Sequence, residues 1–176
     1  MTDVKTSASR LSNHGQIASM DLPAGWVEGP ARTYTGAGTR SFRAFHSPDI
    51  PEAKLCFYYR GLPVQPESAQ TFREVLGKPP HMLDESEISA LSEVLRDRGN
   101  SEQFQMRDIR TEDLNGRRVL VVEGTYDKIQ QDTYALCIDA DGSGRFVQEI
   151  YYLAPFIDFV SFKAEADEAI KSIAWK

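Results

Sequence analysis

Val119-Leu120-Val121-Val122, Tyr134-Ala135-Leu136-Cys137-Ile138 and Phe146-Val147-Gln148-Glu149-Ile150-Tyr151-Tyr152-Leu153 follow one another between Gly116 and Pro155. Each run is rich in β-branched and aromatic residues and is bounded by turn formers, the signature of successive strands. The spacing predicts strands at Arg117 to Tyr126, Thr133 to Ala140 and Arg145 to Ala154. Asp141-Gly142-Ser143-Gly144 joins the last two, with glycines free to take positive φ as a hairpin requires. Asn115-Gly116 enters the first strand with the strongest two-residue hairpin signal in the chain. The segment before it, Gln103 to Leu114, is therefore a further antiparallel neighbour. A β-meander results, and the rest of the chain is arranged around it.

Two more strands precede the meander, Arg40 to Phe45 and Ala53 to Arg60. Adjacent rings at Phe57-Tyr58-Tyr59 and at Tyr151-Tyr152 fall on opposite faces, because side chains alternate along a strand. A strand apolar on both faces is normally covered on both. The covers are predicted helices. Pro66 to Leu76 carries Ala69, Phe72, Val75 and Leu76 on one side. Asp84 with Glu87 makes a capping-box pattern, and the stripe Ile88, Leu91, Val94, Leu95 runs on to Arg98, with Gly99 as the stop. After the aromatic run Phe156 to Phe162, a last helix covers Lys163 to Ala174, with Ala166, Ala169, Ile170 and Ile173 inward and Trp175 at its end.

At the other end, residues 1 to 14 are polar and read as a loose tail. A strand reaches Asp21, Pro23 and Gly25 turn the chain, and Trp26 returns to the core as an aromatic plug. Residues 29 to 39 read as a loop; its Gly36-Ala37-Gly38 lacks the Lys-Ser/Thr pair and following helix of a phosphate cradle. The expected architecture is a single α+β domain over residues 15–176, a central antiparallel sheet with helices on both faces.

Composition narrows the function classes. Of 176 residues, 26 are acidic and 20 basic, a net charge of −6, so no basic face argues for nucleic acid. The polar start from Met1 to Asn13 holds no apolar core of a signal peptide, and no stretch reaches the ~18 apolar residues of a membrane span. The expected compartment is the cytoplasm. Cys56 and Cys137 each sit inside an apolar strand, which points to two buried thiols.

Catalytic and metal chemistry have little support in the pattern. Asp139-Ala140-Asp141-Gly142-Ser143-Gly144 resembles the start of a calcium loop, but the closing position is Ile150, with Glu149 one residue early, and strands flank it. A hairpin turn is the expected reading. His14, His46 and His81 lie far apart in loop-like segments, with no zinc spacing. No catalytic pair, cofactor or metal site is expected, and no enzyme. The candidate contact residues are Tyr58, Arg60 and Tyr151, since tyrosine and arginine are enriched where proteins bind one another.

Leu22-Pro23-Ala24-Gly25-Trp26 near the start, paired helices inserted midway in an antiparallel sheet, and a closing helix over Glu165 to Trp175 resemble the fold shared by PsbP, DcrB and the Ran-binding protein Mog. The resemblance covers most of residues 15 to 175. It implies an α/β/α sandwich and non-catalytic work through protein contacts, as in photosystem II extrinsic subunits, nuclear-transport accessories and type VI secretion effector chaperones. It carries over no functional residue. The expected function is that of a non-enzymatic accessory or adaptor protein whose partner is another protein. The alternatives are a module binding a small molecule or calcium, between sheet and helices or at Asp139 to Gly144, and an effector chaperone of the DcrB-like kind.

Overall fold

Alternation sends Val119 and Val121 to one face of their strand and Leu120 and Val122 to the other. The computed structural model, which describes residues 9–30, 32–34, 40–96 and 103–176, builds a separate apolar core against each face. The strands are β1 (Arg10–His14), β2 (Ile17–Asp21), β3 (Val27–Glu28), β4 (Arg32–Tyr34), β5 (Arg40–His46), β6 (Lys54–Tyr59), β7 (Gln105–Leu114), β8 (Arg117–Tyr126), β9 (Gln131–Asp139), β10 (Val147–Pro155) and β11 (Ala174–Trp175). Among the described residues the large sheet has eight strands, in the order β3-β5-β6-β10-β9-β8-β7 with β4 also paired to β5. Its pairings are antiparallel throughout. The β7–β8 turn places Asn115 at φ 50 and Gly116 at φ 83, the two positive angles that suit the right-handed strand twist.

The first face is covered by α1 (Pro66–Gly77), α2 (Glu85–Ala90) and α3 (Ser92–Leu95). Ala69, Phe72 and Val75 of α1 pack with Leu91, Val94 and Leu95 onto Leu120, Val122, Ala135, Cys137 and Val147. The capping box forms as read: the Glu87 amide donates to Asp84 Oδ1 at 2.8 Å and the Asp84 amide to Glu87 Oε2 at 3.2 Å. The single helix expected from Asp84 to Arg98 is instead two short ones, broken at Leu91 (φ −93, ψ 12), with Arg96 turned to φ 41. Arg60 explains the early stop. Its guanidinium donates to the carbonyls of Glu93 (3.0 Å) and Val94, which a continuing helix would have used itself. The proposed stop at Gly99 lies outside the described residues.

The second face carries α4 (Phe156–Lys171) and a three-stranded sheet ordered β1-β2-β11. Phe159, Ala166, Ala169 and Ile170 of α4, with Leu11, Ile17 and Met20 of the small sheet, pack on Leu136, Ile138, Ile150 and Tyr152. Trp26 is buried in the same core, and its indole donates to Glu165 Oε2 at 3.1 Å. Tyr152 stacks on Phe159, with centroids 4.8 Å apart, and its hydroxyl donates to the Phe159 carbonyl at 2.7 Å. Burial pushes the Tyr152 phenol above its ordinary value, so it stays a neutral donor.

Three boundaries are corrected. The loose tail of residues 1 to 14 is a strand from Arg10 to His14, because Leu11 is drawn into the core and pairs with Met20; residues 1–8 lie outside the description. The loop at 29 to 39 contains the short strand β4 on β5, while Gly36 and Gly38 are outside the described residues. The last helix begins at Phe156, not Lys163, and ends at Lys171, so Trp175 belongs to β11. His14 and His46 likewise close strands rather than sit in loops.

The small sheet is held mainly by neutral bonds, with Arg117 donating to Gln16 Oε1 at 3.2 Å and lying over the Trp175 ring at 4.9 Å. Buried Gln148 of β10 accepts from the Gln16 amide at 2.8 Å and donates to the His14 carbonyl at 3.3 Å, gripping the β1–β2 turn at Gly15 (φ 55). Asn115 donates to the carbonyls of Lys171 and Ile173, and the Trp175 indole donates to the Leu114 carbonyl at 2.8 Å. The tip of the β7–β8 hairpin thereby holds the C-terminal segment.

Candidate functional site

β5, β6 and β10 lie side by side, and their register places Tyr58 opposite Phe42 on one side and Glu149 on the other. Tyr151 follows two residues after Glu149 on the same face. Phe42, Tyr58, Tyr126, Ile129, Tyr151 and Leu153 together border a concavity of about 320 Å³. Two of the three sequence-predicted contact residues, Tyr58 and Tyr151, therefore share one surface, each half-buried.

Arg60 does not join them. It is 2% exposed, pairs with Glu149 at 3.0 Å, and spends its other donors on the α3 carbonyls. A charge pair this deep holds layers together and is out of a partner's reach. Arg60 lies on the same face as Tyr58, as parity predicts, but just past the end of β6 it is covered by α3.

The exposed residue pattern points elsewhere. Ile157 is 89% exposed and Val160 80%, with Phe156 at 40% and Ile129 at 61%. Single exposed apolar residues are ordinary on protein surfaces, but a contiguous group marks an interaction site. Phe156, Ile157 and Val160 are neighbours at i, i+3 and i+4 spacing on the first turns of α4. The Phe156 amide donates to the Gln130 carbonyl at 3.1 Å, which fastens the start of α4 to the turn that carries Ile129. Ser161 and Ala164, also exposed, continue the line of Ile157 and Val160 at helical spacing. Sequence reasoning passed over this surface because Phe156 to Phe162 reads as an aromatic run before a helix. Two interleaved helical stripes, Phe159–Ala166–Ile170 inward and Ile157–Val160–Ala164 outward, were the signal available.

The groups singled out for other chemistry are occupied in structural roles. Asp139 accepts from the amides of Gly142 and Gly144, each at 3.0 Å, and Asp141 accepts from the Ser143 amide (3.0 Å) and hydroxyl (2.6 Å). Burial opposes ionisation of Asp141, yet these bonds outweigh it and hold its carboxyl below the usual range. Gly142 and Gly144 take φ 81 and 74, so the segment is built as a turn between β9 and β10. Cys56 and Cys137 are buried thiols with no disulfide between them. Among the described residues, no group of three or more His, Cys, Asp or Glu side chains is placed to hold a metal ion. No described helix is long and apolar enough to cross a membrane.

No known protein-family pattern matches the sequence, and no curated protein does. Among solved structures, the chain is similar to cyanobacterial PsbP (CyanoP) from Synechocystis sp. PCC 6803, whose solution structure it matches with a TM-score of 0.58 at 10% identity. The match covers 100% of this chain and 97% of that one. At that identity the likeness concerns architecture: an antiparallel sheet between two unlike layers, with the inserted helix pair on one side and the closing helix on the other. The chain has a PsbP-like fold.

Proposed function

We propose that this chain is a non-catalytic accessory protein that works by binding another protein through the exposed start of α4. The observation that carries the proposal is the run Phe156, Ile157 and Val160, three large apolar side chains exposed together on the first turns of α4. Leaving such a group in water forgoes about 25 cal/mol per Å² of stabilisation, which a partner's surface recovers. The resemblance to PsbP, DcrB and Mog points the same way, and an effector chaperone of the DcrB-like kind is the narrower form of the reading. Affinity capture from the native host, with the intact chain and an Ile157→Asp variant side by side, tests it. A protein retained by the first and lost from the second is the expected result. A clean blank at high proteome coverage, with cross-linking, would sink the proposal.

A further inference from the structure

The outward face of α4 changes character along its length. Ile157, Val160, Ser161 and Ala164 are exposed over about two turns, then Glu165 and Glu168 follow, both exposed. At 1.5 Å per residue the apolar half spans about 10 Å, and Glu168 lies about 16 Å from Ile157. Glu165 and Glu168 do not stand alone. With Asp21, Leu22, Pro23 and Ser172 they rim a groove of about 480 Å³ between α4 and the end of β2. The Trp26 indole fixes the Glu165 carboxylate at 3.1 Å, so one of these charges is held in place. The opposing cations are few: Arg10 approaches Asp21 at 3.6 Å with both side chains exposed, and Lys171 sits in the last turn of α4. An exposed pair of that kind is weak and screened.

Building on the accessory-protein reading, we infer that this face docks an amphipathic helix of a partner protein. The helix carries apolar residues at i, i+3 or i+4, and i+7, followed within two turns by lysines or arginines. Apolar anchors at that spacing match a helix laid along Ile157, Val160 and Ala164, where the small side chains of Ser161 and Ala164 allow close approach. The basic end then meets the Asp21–Glu165–Glu168 groove, and opposite charge orients the partner on the surface. A second copy of this chain would bring its own net charge of −6 to an acidic face. An anionic bilayer would be repelled by it.

The test uses the full chain and a fluorescein-labelled synthetic helix with leucines at i, i+4 and i+7 followed by three lysines. The comparison peptides are a scrambled sequence of the same composition and a version with glutamates for the lysines. Anisotropy titrations should show the lysine helix binding at least tenfold tighter than either. Ile157→Asp with Val160→Asp should weaken it tenfold or more. Glu165→Gln with Glu168→Gln should weaken it about three- to tenfold and flatten the salt dependence. All four positions are exposed, and circular dichroism checks that the variants fold. Equal binding of the three peptides, or wild-type affinity in the Ile157→Asp, Val160→Asp variant, overturns the inference. So does a concentration-dependent dimer in sedimentation that this variant abolishes, which would assign the face to a second copy. A captured partner that cross-links elsewhere and ignores the variant defeats this inference while leaving the accessory reading intact. A blank capture together with no peptide binding defeats both.

Discussion

The two faces of the large sheet each carry a buried apolar core and are fastened by different chemistry. On the first, the helical layer α1–α3 is tied down by charge: Arg60 pairs with Glu149 at 3.0 Å and takes the terminal carbonyls of α3. On the second, α4 and the small sheet are tied down mainly by neutral bonds from Gln148, Asn115, Tyr152 and Trp175. The Glu165 carboxylate takes the Trp26 indole there and Arg117 lies over Trp175, but no buried ion pair like Arg60–Glu149 is seen among the described residues of that layer. The difference matters because a buried charge is costly when its partner is removed, whereas a neutral bond costs little more than itself. The first layer should therefore respond to single substitutions sharply, and the second should loosen by increments.

Arg60→Ala should have the largest effect. It takes the guanidinium from the Glu149 carboxylate, which is 3% exposed, and uncaps α3, so a loss of about 3–5 kcal/mol is expected in urea unfolding. Replacing both partners, Arg60→Leu with Glu149→Leu, should recover much of it, since no charge is then left unpaired. A double variant as unstable as the single one would show that the carbonyl bonds, not the ion pair, fasten this layer.

Gly15→Ala attacks the second layer at its tightest point. The residue sits at φ 55, and a Cβ there would lie 2.3 Å from Gln148 Oε1. Gln148 could swing away only by giving up its bonds to Gln16 and His14. Left-handed strain and a lost bond together cost about 1–3 kcal/mol. Local release of the β1–β2 hairpin is expected, seen as fast hydrogen exchange at the Gln16 amide while the β8–β9 amides stay protected. Global unfolding at the same rate everywhere would mean that the two layers are not separately fastened.

The contrast between the layers was only half visible in the sequence. The meander, the Asn115-Gly116 turn and the capping box at Asp84 are local signals, written in residues close together in the chain, and each forms where it was expected. Arg10–His14 was hidden because a short polar strand gains its stability from Met20 and the core and from no periodicity of its own. Arg60 was hidden for a related reason. Its burial depends on Glu149, 89 positions away, and on α3 passing overhead. Tyr58 and Tyr151 were found because strand parity alone places them on one face. The outward stripe of α4 required deciding that the helix starts at Phe156, a boundary set by Pro155 and tertiary packing more than by composition.

Tyr152→Phe removes a single neutral bond from the second layer. The hydroxyl that donates to the Phe159 carbonyl is lost, while the stacked ring remains. A loss of about 1 kcal/mol is expected in thermal or urea unfolding. Burial of the phenol, with the nearby Asp158, Asp167 and Glu165 carboxylates, also predicts an alkaline limb, because a phenol held above its ordinary pKa stabilises the fold below pH ~10 and loses that contribution as pH rises through the folded value. The Phe variant should show a shallower limb, with partly buried Tyr134, also held above its ordinary value, supplying the rest, and an unchanged limb would place its origin in other groups.

The smallest effect is an acid one, and it belongs to the first layer. Lys78, with the Asp84 amide and His81, holds the Glu87 carboxyl at about 2, against 4.5 ordinarily. A depressed carboxyl stabilises the folded state fully above its unfolded pKa and loses that contribution as pH falls toward the folded one. The first turn of α2 should therefore loosen between about pH 4.5 and 2, seen as rising exchange of the Glu87 and Ile88 amides, while Gln16 and Asp21 in the second layer hold. Glu87→Gln keeps a side-chain carbonyl able to accept from the Asp84 amide and removes the titration, so its exchange should be flat across that window. Parallel loosening of both layers in acid would trace the effect to net charge and erase the chemical distinction between the two faces.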